Sequence, residues 1–203
     1  MFLCDIGNTS YHFLHKNLDY KESVETFNPQ TIQEKIYYIC VNPNIIKVLA
    51  ELDNWIDLAQ YTDMKNYYET MGIDRIVACE AISDGVIVDA GSAITVDLVK
   101  SGVFQGGFIY PGSRAMGKAY SNISPALEYE FNYQLDLQSL PKNSRDAISY
   151  GYLKMLHTEV VSQNESIYLI GGDAHKLLHI FPNAEINQNL IFDGMKKILK
   201  QVN

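Results

Sequence analysis

The chain has 203 residues, of which 47% are hydrophobic and 20% are charged, as in ordinary globular proteins. Its formal net charge of −8 argues against unassisted binding to nucleic acid or to an anionic membrane surface. An anionic nucleotide is still possible, because bound cations and backbone amides can create locally positive sites.

The three cysteines indicate buried free thiols rather than a disulfide framework or a zinc site. Cys4, Cys40 and Cys79 are odd in number, widely spaced and mostly within apolar runs. The segment Met1–Ser10 has neither a basic region nor a long apolar core, and no apolar run reaches the length of a membrane span. We therefore expect a cytoplasmic protein that does not bind membranes.

The chain opens with a predicted hairpin. An apolar run that begins at Phe2 ends at Asp5, and a turn at Gly7–Thr9 separates it from a second apolar run, Tyr11–Leu14. This pattern predicts strand, turn, strand.

Three further elements are predicted before the middle of the chain. Ile36–Val41 has the composition of a strand, and the spacing of apolar residues predicts a helix over Ile45–Leu58. Asp74–Ser83 also reads as a helix.

The opening plan then repeats. An apolar strand from Val86 ends at Asp89 and a glycine-containing turn, and Ile94–Val99 resumes as a strand. Phe104–Ile109 continues the sheet up to the Pro111-Gly112 break.

Helices dominate the last part of the chain. Arg145–Val161 is the longest helical stretch, and Ile167–Ile170 is a buried strand that stops at a pair of glycines. The shorter helices Ala174–Phe181 and Leu190–Val202 follow.

The repeated strand–Asp–turn–strand plan predicts two similar α/β domains. We place the first at residues 1–85 and the second at 86–189. The terminal helix, 190–203, is expected to pack back on the first domain.

Three acidic, glycine-bearing loops suggest a nucleotide site. At Asp5–Thr9 the carboxylate can reach a cation and Gly7 lets the backbone approach a terminal phosphate. Asp89–Asp97 offers acid, glycine and hydroxyl again, for the phosphate chain, and the glycines in Leu169–Ala174 allow adenine to lie against the backbone. One Asp-x-Gly alone is more typical of a tight turn, but three in this order favour an ATP site.

Other nucleotide motifs are absent from the sequence. No GxxxxGK[ST] occurs, which excludes a P-loop enzyme, and no GxGxxG follows a strand. His175 and His179 have i, i+4 spacing but lack the intervening Glu of a zinc-protease helix, so they are interpreted as a helix surface.

With these loops in place, the sequence resembles the type III pantothenate kinases over essentially its whole length. Five motifs in family order carry the resemblance: Asp5–Thr9, Gly72–Arg75, Asp89–Asp97, Gly106–Gly112 and Gly171–Asp173. The resemblance implies two ribonuclease-H-like domains, each a mixed sheet flanked by helices, with an ATP cleft between them. It also implies ATP-dependent phosphorylation of the primary hydroxyl of pantothenate, the first step of coenzyme A synthesis, by a homodimer that uses Mg²⁺ and a monovalent cation, K⁺ or NH₄⁺.

The resemblance also implies residue roles. Asp74 matches the general base, and Asp89 matches the ligand of the monovalent cation. Asp5 is the Mg²⁺ candidate, directly or through water. The ATP and phosphate positions are Asp5, Ile6, Gly7, Asn8, Thr9, Ser10, Tyr11, His12 and Ser92. The pantothenate positions are Tyr68, Gly72, Ile73, Asp74, Arg75 and Ser144, of which Ser144 reaches in from the partner subunit.

The chain departs from the family pattern at a few positions. Ser92 and Ser144 stand where Thr is usual, so each keeps the hydroxyl and loses a methyl. The Asn-Pro step that commonly precedes Gly-x-Asp-Arg is missing, which leaves either Tyr67 or Tyr68 as the substrate contact.

Plain structural interpretations compete with the site roles. Asp74 is also suited to the first turn of a helix, where the dipole favours its ionised form. Arg75 could instead form a surface ion pair with Glu80. Asp97 alternates with Thr95 and could be purely structural.

Other functions are also open. A nucleotide-binding regulator of the same fold without turnover is the main alternative, and a kinase for another small alcohol is a second. A filament-forming actin relative would require a larger chain.

Overall fold

A computed structural model describes residues 1–16 and 18–202, and these divide into two compact units. Unit 1 comprises residues 1–82 together with the segment that begins at Asn189, and unit 2 comprises Ser83–Gln188. Within the described residues, no helix is both long enough and apolar enough to cross a bilayer.

Unit 1 is built on a five-stranded mixed sheet with the order β3-β2-β1-β4-β5. Its first three strands form an antiparallel meander, whereas β4 and β5 run parallel to β1. The strands are β1 (Phe2–Ile6), β2 (Ser10–His15), β3 (Leu18–Ser23), β4 (Ile36–Cys40) and β5 (Trp55–Asp57).

Unit 2 repeats this topology in the order β10-β9-β6-β7-β8. Again three consecutive antiparallel strands are followed by two strands parallel to the first. The strands are β6 (Gly85–Ala90), β7 (Ala93–Lys100), β8 (Val103–Pro111), β9 (Ile167–Ile170) and β10 (Glu185–Ile186). The predicted α/β class, two ribonuclease-H-like folds with mixed sheets, is confirmed.

Helices flank both sheets. They are α1 (Pro43–Leu49), α2 (Ile73–Ala81), α3 (Ser113–Ile123), α4 (Ser144–Ser162), α5 (Ala174–Leu177) and α6 (Leu190–Val202). Local sequence fixes where α1 begins: the Asn42 side chain accepts a hydrogen bond from the Asn44 N–H, and Pro43 occupies the first turn. Asn143 caps α4 in the same way by accepting from the Asp146 N–H at 2.9 Å.

The cores lie on the faces of the sheets. In unit 1 the even-numbered residues of β1 point into one cluster with β4, α1 and Trp55. Leu3 points to the opposite face, where it packs against α2 and α6. There the two helices approach so closely that a Cβ on Gly194 would collide with the Val77 carbonyl oxygen. The three cysteines are buried free thiols, as expected.

The predicted helix Ile45–Leu58 is wrong beyond Leu49. Its second half turns back, and Trp55–Asp57 pairs with β4 as the parallel strand β5. Trp55 has apolar helix spacing, but its indole fits the sheet core and donates to the Pro29 carbonyl at 3.3 Å. Tertiary packing therefore overrides the local pattern.

A second predicted helix, Ala174–Phe181, is also too long, because α5 ends at Leu177. The apolar residues Ile180 and Phe181 are buried in the unit 2 core beyond the end of α5, where turns follow the helix. Two elements were not predicted: β3, whose residues are all exposed, and α3, none of whose residues is fully buried. Neither element presents an apolar face wide enough to be recognised.

Candidate active site

The first loop connects β1 to β2 as a tight hairpin. The Gly7 N–H donates to the Ser10 carbonyl at 3.0 Å, and Asp5 lies opposite His12 in the strand register. Ile6 and Tyr11 are buried in the core, so only their backbone groups could touch a phosphate. Asn8 and Thr9 are exposed at the tip.

His12 is held on both sides. Its Nε2 lies 2.7 Å from Asp19 Oδ1, and its ring meets Phe192 edge-on at 4.7 Å between centroids. Burial lowers the pKa of His12, although hydrogen bonding to Asp19 opposes the shift. The imidazole is therefore a fixed, mostly neutral group beside Asp5.

Asp74 lies in the first turn of α2, as predicted. The N-cap position is Gly72, which has no side chain to cap the helix, and Asp74 Oδ1 accepts from the Arg75 N–H at 2.8 Å. Burial raises the pKa of Asp74, while the hydrogen bond and the charge of Arg75 act in the opposite direction. The net shift moves this carboxyl toward the range in which a general base operates.

Arg75 is a buried cation, with 6% of its surface exposed. Its Nη1 donates to the Tyr68 hydroxyl, and the guanidinium lies 5.7 Å from the centre of the Tyr68 ring. The neighbouring Tyr67 instead donates to Glu80 Oε1 at 2.8 Å. Tyr68 is thus the tyrosine that shares a cluster with Gly72, Asp74 and Arg75.

The second loop, in unit 2, is enclosed by glycines. Asp89 is half-buried at the end of β6, and the Gly91 N–H donates to the Ala93 carbonyl at 3.0 Å. A Cβ on Gly171 would collide with the Asp89 carboxylate, and Gly171 has a φ of +85°. A Cβ on Gly112 would likewise overlap the Ser92 carbonyl. Gly171 therefore approaches the Asp89 carboxylate, and Gly112 approaches the backbone of the same loop, at distances that only glycine allows.

Ser92 is exposed at the tip of this loop, where its hydroxyl is accessible to a ligand. Asp97, by contrast, is only 1% exposed within β7, and this burial favours the structural interpretation.

The third loop continues into a groove of about 1100 Å³ in unit 2. Asp173, in the third loop, contacts both the second loop and the groove. Its N–H donates to the Ala90 carbonyl at 2.9 Å, and its carboxylate binds the groove side chain Lys176, with 2.8 Å to Nζ. The groove is lined by His175, His179, two carboxylates, Glu128 and Glu130, and by four Arg and Lys side chains and three aromatic residues. These are Arg114, Lys118, Arg145, Lys176, Tyr129, Phe131 and Tyr133.

Ser144 is the exposed first residue of α4. It follows the cap residue Asn143, whose Nδ2 donates to Asp146 Oδ2 at 2.8 Å. The cap fixes the start of the helix and therefore the backbone position of Ser144 on the surface.

Within each unit, the structure therefore brings some predicted residues together. Tyr68, Gly72, Ile73, Asp74 and Arg75 form one cluster in unit 1, and Asp89 and Ser92 share the glycine-lined loop of unit 2. Ser144 belongs to neither cluster. The groove cations were not predicted, because they come from segments far apart in the chain and lack a motif. Glu80 was predicted only as a possible surface partner of Arg75, whereas Arg75 is buried and Glu80 accepts from Tyr67.

Asp5 is the candidate ligand for a divalent metal. Among residues 1–16 and 18–202, no three His, Cys, Asp or Glu side chains are placed to hold a metal ion together. Mg²⁺ usually binds through one or two carboxylates plus waters and substrate phosphates, and single acidic residues such as Asp5 suit that mode.

Comparison with known proteins decides the family. A family model described as type III pantothenate kinase matches residues 25–165. A relative from Sulfurimonas denitrificans, named type III pantothenate kinase, is 58% identical over 100% of this chain and 99% of its own length. The chain belongs to the type III pantothenate kinase family.

Relatives from Campylobacter jejuni carry two descriptions. One, named type III pantothenate kinase, is 42% identical over 99% of this chain and 97% of its own length. A solved structure superposes with a TM-score of 0.89 at 40% identity, over 100% of this chain and 98% of that one. It is described provisionally as a conserved Baf family transcriptional activator. The same pantothenate kinase fold is thus associated with an enzymatic and a regulatory description.

Proposed function

We propose that this protein transfers the γ-phosphoryl group of ATP to the primary hydroxyl of pantothenate, the first step of coenzyme A synthesis. The observation that carries the proposal is the cluster at the start of α2. There a partly buried carboxylate with a raised pKa lies next to a buried arginine whose guanidinium contacts a tyrosine.

Asp74 acts as the base in this proposal. Phosphoryl transfer has a loose transition state, so the attacking hydroxyl needs orientation first and gives up its proton late. A carboxylate with a raised pKa is better matched to that proton than an exposed Asp. The hydrogen bond from the Arg75 N–H fixes Oδ1, which leaves Oδ2 to face the hydroxyl.

Arg75 and Tyr68 recognise the polar part of pantothenate. A guanidinium offers a planar fork of donors that suits a carboxylate or amide oxygens, and pantothenate has both. The Tyr68 hydroxyl and ring hold Arg75 from one side, and Tyr68 is 43% exposed. The substrate therefore meets a preorganised cation beside the base.

The remaining loops handle ATP. Asp5 would hold Mg²⁺, which would offset the charge of the phosphates. Asp89 would hold a K⁺ or NH₄⁺ ion, which would supply positive charge that lysine provides in other kinases. Neither loop contains a lysine, which makes this arrangement chemically sensible.

The adenosine end of ATP lies in the groove of unit 2 beside Gly171 and Gly172. Cationic and aromatic side chains line that groove, as suits a phosphorylated aromatic ligand, and Asp173 joins it to the Asp89 loop. The proposal also includes a cytoplasmic homodimer in which Ser144 contacts pantothenate bound to the partner subunit.

The deciding experiment measures ADP release by the purified full-length chain with ATP and Mg²⁺ in potassium buffer. Release that depends on pantothenate, with formation of 4′-phosphopantothenate by mass spectrometry, supports the proposal. Release that requires a different alcohol would replace the substrate. Absence of release with every alcohol, while ATP still binds, would overturn the kinase assignment.

A regulatory role is the second candidate, because the solved Campylobacter jejuni relative is described provisionally as a transcriptional activator. The net charge of −8 disfavours direct contact with DNA. The same ADP assay separates the two candidates, since a regulator without turnover binds ATP but releases no ADP.

A further inference from the structure

Two adjacent tyrosines form hydrogen bonds to opposite ends of helix α2. Tyr68 accepts a hydrogen bond from Arg75 in the first turn, and Tyr67 donates to Glu80 in the last turn, 2.8 Å from oxygen to oxygen. Arg75 was predicted as a site residue, whereas the Tyr67–Glu80 contact has no place in the function described so far.

The extended backbone at Tyr67 accounts for this pairing. Tyr67 is extended, with φ −124° and ψ 154°, and adjacent side chains of an extended segment point to opposite sides. Arg75 and Glu80 lie about 140° apart around the helix axis and about 7.5 Å along it. The two tyrosine hydroxyls therefore bond to side chains on different sides of α2.

The far end of this contact is anchored by α6. Lys197 Nζ donates to the Glu80 backbone carbonyl at 2.7 Å, and Gly194 places the backbone of α6 against Val77 in the middle of α2. Glu80 therefore belongs to a rigid part of unit 1. A hydroxyl that binds it immobilises the segment that carries Tyr68.

We propose that Tyr67 and Glu80 are positioning residues for the pantothenate site. Their hydrogen bond holds the segment over α2 so that Tyr68 stays against the Arg75 guanidinium and that cation stays aimed at the substrate. Neither residue touches substrate in this scheme, which rests on the proposed function. The expected consequence is selective: affinity for pantothenate depends on the contact, whereas ATP binding and the chemical step do not.

Four single variants of the full-length chain, and the double variant Tyr67→Phe/Glu80→Ala, test the proposal by steady-state kinetics. Tyr67→Phe removes the donor and Glu80→Ala removes the acceptor, whereas Glu80→Gln keeps an acceptor oxygen. Tyr110→Phe is the matched control, because the Tyr110 hydroxyl donates to a backbone carbonyl of Tyr152, at 2.9 Å, within unit 2.

We expect Tyr67→Phe and Glu80→Ala each to raise the KM for pantothenate roughly 3- to 10-fold, the range of one hydrogen bond of ordinary net strength. The KM for ATP and kcat should stay within about twofold, Glu80→Gln should restore most of the affinity, and the double variant should add nothing. An unchanged pantothenate KM, or an equal rise in the KM for ATP, overturns the proposal.

Hydrogen–deuterium exchange tests the Tyr67–Glu80 hydrogen bond without any substrate. The Met71 N–H, which donates to the Tyr68 carbonyl at 2.9 Å, reports on the segment. It should lose protection in Tyr67→Phe and Glu80→Ala but not in Glu80→Gln or Tyr110→Phe, and unchanged protection overturns the proposal. If protection falls in these variants but the wild-type protein does not use pantothenate, the Tyr67–Glu80 contact still positions the segment, and only the proposed substrate is wrong.

Discussion

Gly72 lies against the Asp74 carboxylate, so that a methyl group added to the Gly72 Cα would occupy the space of Oδ1. Its backbone, with φ −61° and ψ 138°, suits any residue, so only this contact requires glycine. We expect Gly72→Ala to fold normally and to turn the Asp74 side chain out of place. Because small misplacements of a reacting group are costly, kcat should fall roughly 10- to 100-fold.

The control for that substitution is Gly151→Ala in α4. A Cβ on Gly151 would meet only the Tyr120 hydroxyl, at 3.9 Å, which is ordinary contact. Activity should be unchanged and stability slightly increased, since alanine favours a helix. Equal losses of kcat in both variants would show that the effect of Gly72→Ala is not local.

Replacing Asp74 by asparagine tests its role as the base. Asp74→Asn should retain the affinity for ATP measured by calorimetry and lose most of its turnover, by roughly 10²- to 10⁴-fold. The size of the side chain is kept, so a loss reflects the missing carboxylate. Turnover near the wild-type level would remove Asp74 from the mechanism.

The raised pKa of Asp74 also predicts how activity and stability change with pH. Activity should fall as pH decreases through the raised pKa, because the base becomes protonated at a higher pH than an exposed Asp. The contribution of Asp74 to the stability of the fold changes in the opposite direction, because it becomes more favourable as pH falls. The folded state binds this proton more tightly than the unfolded state, so ionised Asp74 destabilises the fold at neutral pH. Asp74→Asn should therefore raise Tm at pH 7, and the gain should shrink as pH falls; a gain that grows in acid contradicts the shift.

Replacing Gly194, the glycine of α6, tests how closely α6 must pack against α2. A Cβ there would overlap the Val77 carbonyl, a backbone atom that cannot rotate away. Gly194→Ala should push α6 off α2 and cost about 1–3 kcal/mol of unfolding free energy. Thermal and urea unfolding measure this cost, and Gly151→Ala again serves as the reference. An unchanged Tm would mean that the two helices can separate at no cost.

A monovalent cation at Asp89 predicts a simple salt dependence. Turnover in potassium or ammonium buffer should exceed turnover in sodium buffer roughly tenfold or more at equal ionic strength. Asp89→Asn should reduce that difference. Equal rates of the wild-type protein in sodium and potassium would discard this role for Asp89.

Local sequence was sufficient where a turn or a cap carries the information. The Asp5 hairpin and the strand–Asp–turn repeat at Asp89 follow from glycine and polar residues within a few positions, and the duplicated sheet order confirms the class they predict. Trp55 shows the limit. Its spacing matches a helix, yet the indole is more stable in the sheet core, a preference that only the assembled unit 1 provides.

The sequence by itself determined the fold class, the family and the residue types available for chemistry, because these depend on short motifs and their order. Tertiary structure decided which neighbours those residues have. It paired Tyr68 with Arg75 and Tyr67 with Glu80, and it buried Asp74 enough to raise its pKa. Burial and contacts between distant segments arise from packing, and packing is not encoded at any single position.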